Sequence, residues 1–310
     1  MSKRRAIGDT FIAVFESEAR RLGLQDHLLG QGTIYPDTSE TGGPKRADTI
    51  KTHHNRVPII EEMIAAGKVV EPLADLYTVE VRELGEMLGI PHDMIWRHPF
   101  PGPGLGVRLL CSDGAITDAD RLVEIAPAVE QLAAEVGLLA APLPIKSVGV
   151  KADLRSYEHP VLFHGEADWA TLKKLAGRVF KTVGGLNRAL WNLGDTMPQS
   201  FLPLAAGMTR ERLDLLRECD HLVMEGLRRH RLYDQVWQCP TVLVPLEVDG
   251  LGEELCIIRP IRSERAMTAT AAELPAALLA ELRRDILALP GISGLTYDLT
   301  SKPPGTIEWE

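Results

Sequence analysis

Patterned cysteine is missing from this sequence. Cys111, Cys219, Cys239 and Cys256 are scattered, none at a CxxC spacing, and no histidine pair completes a zinc pattern. They read as reduced thiols of a cytosolic protein, with no metal site. Behind the basic residues of MSKRRAIGDTF there is no apolar run, which excludes a secretory signal peptide. No stretch approaches the ~20 apolar residues of a membrane span. There is no low-complexity tract and no long block of one charge, so nothing points to disorder. GxxxxGK[ST], a glycine-rich phosphate loop after a first strand, GxSxG and a cysteine with a His/Glu set for amide hydrolysis are all absent. The net charge of −9 lacks the basic surplus of a duplex nucleic-acid binder, yet leaves room for a local cationic pocket.

What remains is an ordinary globular composition, 45% hydrophobic and 25% charged, over 310 residues, enough for about two domains. Ala6–Leu24 has helical periodicity, with Ile7, Phe11, Val14 and Phe15 on one face. His27–Thr33 reads as a short buried strand. A loop, Tyr35–Asn55, follows, longer than an ordinary connection and therefore a lid, a binding loop or disordered. Pro58–Ala66 predicts a helix, Lys68–Pro72 a strand, and Thr78–Gly89 a helix capped by Thr78. Arg97–Gly106 carries too many prolines and glycines for regular structure, and a domain boundary is expected just beyond it, near Cys111.

From there a pattern of helix, two strands and helix runs twice. The first round is Asp118–Leu138, Pro144–Lys151, Ser156–Phe163 and Asp168–Leu193. The second is Thr209–His230, Thr241–Val248, Glu254–Arg262 and Ala272–Leu289, with a last strand at Gly294–Thr300. The fold expected is an α/β half-domain over 1–110, then two similar α+β units over 111–207 and 208–310.

Four constellations can carry chemistry. Lys45 and Arg46, then Lys51, His53 and His54, place cations on one loop. They suit closure over a polyphosphate, or are simply a solvated loop. The tail SKPPGTIEWE joins Lys302 and Glu308 to a rigid Pro-Pro turn; it either holds a purine and its phosphate or frays. Asp153 and Arg155 stand at a strand turn, suited to a base or sugar and to a phosphate, or to a surface ion pair. The run Arg97–Arg108 offers arginines and backbone amides to an anion, or is an interdomain hinge.

Taken together, KRRAIGDTF, QGTIYPD, IKTHHN, EPLADLYTVEVRELG, RHPFPGPGLGVR, LPIKSVGVKADLRSY and YDLTSKPPGTIEWE resemble the GMP synthase family over essentially the whole chain. The resemblance implies the second half of an ATP-pyrophosphatase domain, part of a parallel-sheet adenine-nucleotide α-hydrolase-like fold, plus the larger, duplicated form of the dimerisation-type domain. The implied reaction uses ATP and Mg²⁺ to adenylate the 2-oxygen of xanthosine monophosphate (XMP), after which ammonia displaces AMP to give GMP. By motif, Lys45, Lys51, His53 and His54 would belong to the lid over ATP. Arg4, Asp153, Arg155, Gln238, Lys302 and Glu308 would contact XMP. The family's SGGVDS loop, which belongs before KRRAIGDTF, and its amidotransferase are not in this sequence. The expectation is therefore a cytoplasmic homodimer whose missing half, binding most of the ATP and Mg²⁺, comes from a separate chain. The alternative is a non-catalytic XMP-binding or dimerisation module, or an inactive fragment.

Overall fold

A computed structural model describes residues 3–24, 26–35, 37, 58–151, 154–263 and 268–310. The chain parts into two compact units, 1–97 and 98–310.

The first unit holds Lys3–Arg21 (α1), Leu29–Gly30 (β1), Pro58–Ala65 (α2), Val69–Val70 (β2), Thr78–Met87 (α3) and His92–Ile95 (α4). The strand expected over 27–33 shortens to two residues, which pair in parallel with β2. At the start of α3 the cap is Tyr77 rather than Thr78, because the Glu80 carboxylate accepts the Tyr77 N–H at 2.7 Å. Among the described residues of this unit only Thr33 and Gly85 are buried. The apolar face of α1 and the turn after it stand in solvent, with Phe11 69% and Leu22 56% exposed.

The second unit runs Ser112–Asp113 (β3), Ala119–Ala134 (α5), Leu139–Pro142 (β4), Ser147–Lys151 (β5), Leu154–His164 (β6), Trp169–Thr182 (α6), Leu186–Asn192 (β7), Phe201–Pro203 (β8), Ala205–Ala206 (β9), Arg210–Arg229 (α7), Thr241–Val244 (β10), Leu246–Val248 (β11), Glu254–Ile258 (β12), Ile261–Arg262 (β13), Thr270–Ala271 (β14), Ala276–Leu287 (α8) and Ile292–Asp298 (β15). Its main sheet has 7 strands in the order β10-β12-β15-β7-β6-β4, with β5 also on β6. Each half contributes the same arrangement. β4 runs antiparallel to β6, which lies parallel to β7; β10 runs antiparallel to β12, which lies parallel to β15. The halves meet where β7 and β15 pair antiparallel. The segments 111–207 and 208–310 thus each contribute one half of a single sheet.

Strand residues alternate between two cores. Val161, Phe163, Ala189, Leu243, Cys256 and Leu295 pack with α5 to α8, whereas Leu162, Leu190, Val242, Val244 and Ile257 pack with Leu143, Leu246 and Trp309. The helices begin at ordinary caps: the Asp168 carboxylate accepts the Thr171 N–H at 2.7 Å, and the Thr209 hydroxyl accepts that of Arg212 at 3.3 Å.

Two sequence expectations are corrected here. The long helix over 168–193 is α6 followed by β7. It breaks at Gly184-Gly185, where Gly185 adopts φ +90°. The boundary near Cys111 also moves. Leu110 N–H donates to Leu243 O and Leu243 N–H to Arg108 O, both at 2.9 Å, and these bonds tie the Pro/Gly run to β10 inside the second unit.

Candidate functional site: a carboxylate held on a strapped tail

The tail after β15 is fixed from below by two arginines that the fold buries completely. Arg188 lies on β7, and Arg259 follows β12. The strand order places both beside β15, where Asp298 takes Arg259 Nη1 at 2.8 Å and Arg188 Nη1 at 3.1 Å. Further guanidinium N–H groups reach the tail, and Arg188 Nη2 also donates to Val148 O on β5 at 3.0 Å. Arg188 Nη2 donates to Thr306 Oγ1 (2.8 Å) and Glu308 O (2.9 Å); Arg259 donates to Thr300 O, Thr306 O and Ile307 O, each at 3.0 Å. Burial raises the Asp298 pKa, and the two guanidiniums outweigh it, so its carboxyl sits below its ordinary range. The Trp309 indole N–H donates to the same carboxylate at 2.9 Å.

The tail also extends the sheet. Val148 N–H donates to Trp309 O at 3.0 Å and Val150 N–H to Pro304 O at 2.7 Å, which makes the tail a neighbour of β5. This is an ordered segment, not a frayed terminus.

On this strap the Glu308 carboxylate meets two other segments, through Arg108 and Gln238. Arg108, at the end of the Pro/Gly run, donates from Nε to Glu308 Oε2 at 3.2 Å and from Nη2 to Oε1 at 3.1 Å. Gln238 Nε2 donates to Oε1 at 3.0 Å. Asp220, on the buried face of α7, stands 4.0 Å from Arg108 Nη1. Burial raises the Asp220 carboxyl above its usual range while Arg108 opposes the rise. The Arg108 guanidinium lies over the Phe100 ring, 4.8 Å from its centroid. Two residues earlier His98 stacks on Tyr233 with centroids 4.0 Å apart. His98 Nε2 lies 2.8 Å from the Tyr233 carbonyl, which only accepts, so Nε2 carries the proton. Burial lowers the His98 pKa, chiefly against that hydrogen bond.

The other expected residues fall as follows. Lys302 sits on the tail, its N–H donating to Ala269 O at 2.8 Å. Arg155 is on β6 opposite Val150, one strand from the tail. Arg4 lies in the first turn of α1, in the first unit. Lys45, Lys51, His53, His54 and Asp153 lie outside the described residues. Arg108 belongs to the run expected to offer arginines to an anion, and the anion it holds is the chain's own Glu308. Asp220 is not among the expected residues, although an acid among Leu216, Cys219, Val223 and Leu227 on the buried side of a helix is a visible signal. A cavity of about 740 Å³ between Leu110–Thr117, Pro144–Lys146 and Ala205–Gly207 contains none of these groups. Among the described residues no set of three His, Cys, Asp or Glu is placed to hold a metal ion.

Residues 225–309, which include Gln238, Lys302 and Glu308, match the family model described as GMP synthase C terminal domain. Over essentially its whole length the chain is similar to GMP synthases. A probable glutamine-hydrolysing GMP synthase of Leptospira interrogans is 43% identical over 313 residues, covering 99% of this chain and 51% of that protein. One from Caenorhabditis elegans is 32% identical over 384 residues, covering 99% of the chain and 52% of the relative. The GMP synthase of Saccharomyces cerevisiae is 41% identical over 226 residues, covering 63% of the chain and 41% of the relative. The chain thus spans about half the length of the GMP synthases it matches. No helix among its described residues is long and apolar enough to cross a membrane.

Proposed function

We propose that this chain is the lid, XMP-binding and assembly half of a GMP synthase, a ligase that adenylates XMP with ATP and then aminates it. The observation that supports this most is the tail: its peptide carbonyls are spent on Arg188 and Arg259, while the Glu308 carboxylate is held at the end of the strap. In the reaction the purine 2-oxygen attacks the α-phosphorus of ATP and pyrophosphate leaves. Ammonia then adds at C2, and AMP departs.

Glu308 accepts from a donor of the base or ribose, with Gln238 beside it. Arg4, Arg155 and Lys302 supply cations for the nucleotide phosphate, and Asp153 an acceptor for the base or sugar. Lys45, Lys51, His53 and His54, on the lid, stabilise charge that develops on the departing pyrophosphate. ATP and Mg²⁺ are assigned mainly to the complementing half.

The amidotransferase and SGGVDS-bearing half is proposed to cover the first unit, whose apolar side chains Phe11, Val14, Phe15 and Leu22 are exposed. The deciding experiment is XMP-dependent AMP formation from ATP and ammonium, with this chain alone and with such a half added. Activity only in the mixture supports the proposal. Activity alone refutes the need for a partner. Activity in neither, with XMP still bound, makes the chain a binding module.

A homodimer is part of the same reading. Its sheet edges are poor sites for it: β4 is 4 residues long and ends at Pro142, and Leu109 bridges β10 at Leu243. The dimer contact is accordingly placed on side-chain surfaces. A dimer mass by light scattering at micromolar concentration is expected, and a monomer overturns it.

A further inference from the structure

We infer that Arg108 is a positioning residue which, with Gln238, restricts Glu308 to a single acceptor site for an N–H or O–H donor of the bound nucleotide; this rests on the XMP site proposed above. A carboxylate has about four lone-pair positions, two per oxygen. Oε1 receives Arg108 Nη2 and Gln238 Nε2, at 3.1 and 3.0 Å, and is filled. Oε2 receives Arg108 Nε at 3.2 Å and keeps one position. The Glu308 side chain is 15% exposed, so that position has an approach from outside.

Arg108 has no comparable opening. It is buried, two of its nitrogens are on Glu308, its third faces Asp220, and Phe100 covers a face. Gln238 is also buried, with its amide N–H₂ turned to Glu308 and its backbone paired with Ile261. Arg108 therefore acts on a ligand through Glu308 rather than by touching it. Without the fork, Glu308 is free to rotate about its side-chain bonds and to turn a different oxygen outward, and selectivity for a donor at one place is lost. The same contact couples the Pro/Gly run to the tail across 200 residues of sequence.

The experiment is XMP titration by calorimetry of the full chain as wild type, R108K, R108M, Q238L, E308Q and the double variant R108M/E308Q, with thermal unfolding of each. R108M and E308Q are each expected to weaken XMP at least tenfold. R108K, which offers a charge but no fork, is expected to recover part of the loss. The double variant is expected to bind no more weakly than the worse single one, because Arg108 has nothing to act on once the carboxylate is gone. Should R108M fail to fold, R108K, alone and combined with E308Q, carries the same comparison. Wild-type affinity in R108M, or losses that multiply in the double variant, overturns the positioning role while leaving the XMP site standing. Unchanged affinity in E308Q, or no XMP binding by the wild type, overturns the XMP-site reading and this inference with it.

Discussion

Asp298 is the single negative charge shared by two fully buried guanidiniums, and its removal leaves both without their counter-ion. Breaking a buried ionic contact from one side costs about 3–5 kcal/mol, because the remaining charges stay desolvated. Asp298→Asn is expected to lower the unfolding free energy by about that much, read from urea unfolding followed by circular dichroism. The same residue gives a pH dependence of definite sign. Its folded pKa lies below the unfolded one, so its contribution is complete above the ordinary Asp pKa of about 3.9 and disappears as pH falls through the folded value. The wild type is therefore expected to lose stability on acidification below about pH 4, and Asp298→Asn to lose less over the same range. At this scale the sequence pointed to Glu308 and Lys302 as candidates through the SKPPGTIEWE tail. It did not show Arg188 or Arg259. Their role arises only because β7 and β12 flank β15, a neighbourhood that no local spacing encodes.

The tail and β5 form the element on which the candidate site depends. Gly149 is where they approach most closely: an added Cβ would lie 2.7 Å from Pro304 O and 2.9 Å from Asn187 Nδ2. Neither can retreat freely, since Pro304 O accepts the Val150 N–H and Asn187 is bonded to Ser147. Gly149→Ala is expected to cost about 1–3 kcal/mol, the range for forced overpacking, and to weaken XMP through displacement of the tail. A calorimetric titration with a melting curve checks both. The sequence made the near neighbours of this element legible, including the β5–β6 pair and most helices of the second unit. It misread β7 for a physical reason. Leu186, Ala189, Leu190 and Leu193 have helical spacing, and the strand is buried on both faces, so the period-2 alternation that marks a half-exposed strand is missing. Only the Gly184-Gly185 pair marked the break.

On the scale of the whole molecule, the two units differ in how completely they are built. The second encloses core on both sides of its sheet, whereas in the first α1 and the turn after it expose Phe11, Val14, Phe15 and Leu22. An exposed apolar side chain contributes little to the stability of the chain that bears it, and surface substitutions stay within about ±0.5 kcal/mol. If the face belongs to an interface with the complementing half, the same side chains carry binding energy of the kind that buried aromatic anchors supply, commonly about 2 kcal/mol or more each. The double substitution Phe11→Ser with Phe15→Ser separates the two cases. The melting temperature of the isolated chain is expected to stay where it was. Co-purification with the SGGVDS-bearing half, and AMP formation by the mixture, are expected to fall by more than tenfold. A variant that melts early would mean that α1 already packs within its own unit. A variant that still assembles and turns over at the wild-type rate would mean that the partner covers some other surface, and the split-enzyme proposal would then lose its structural support.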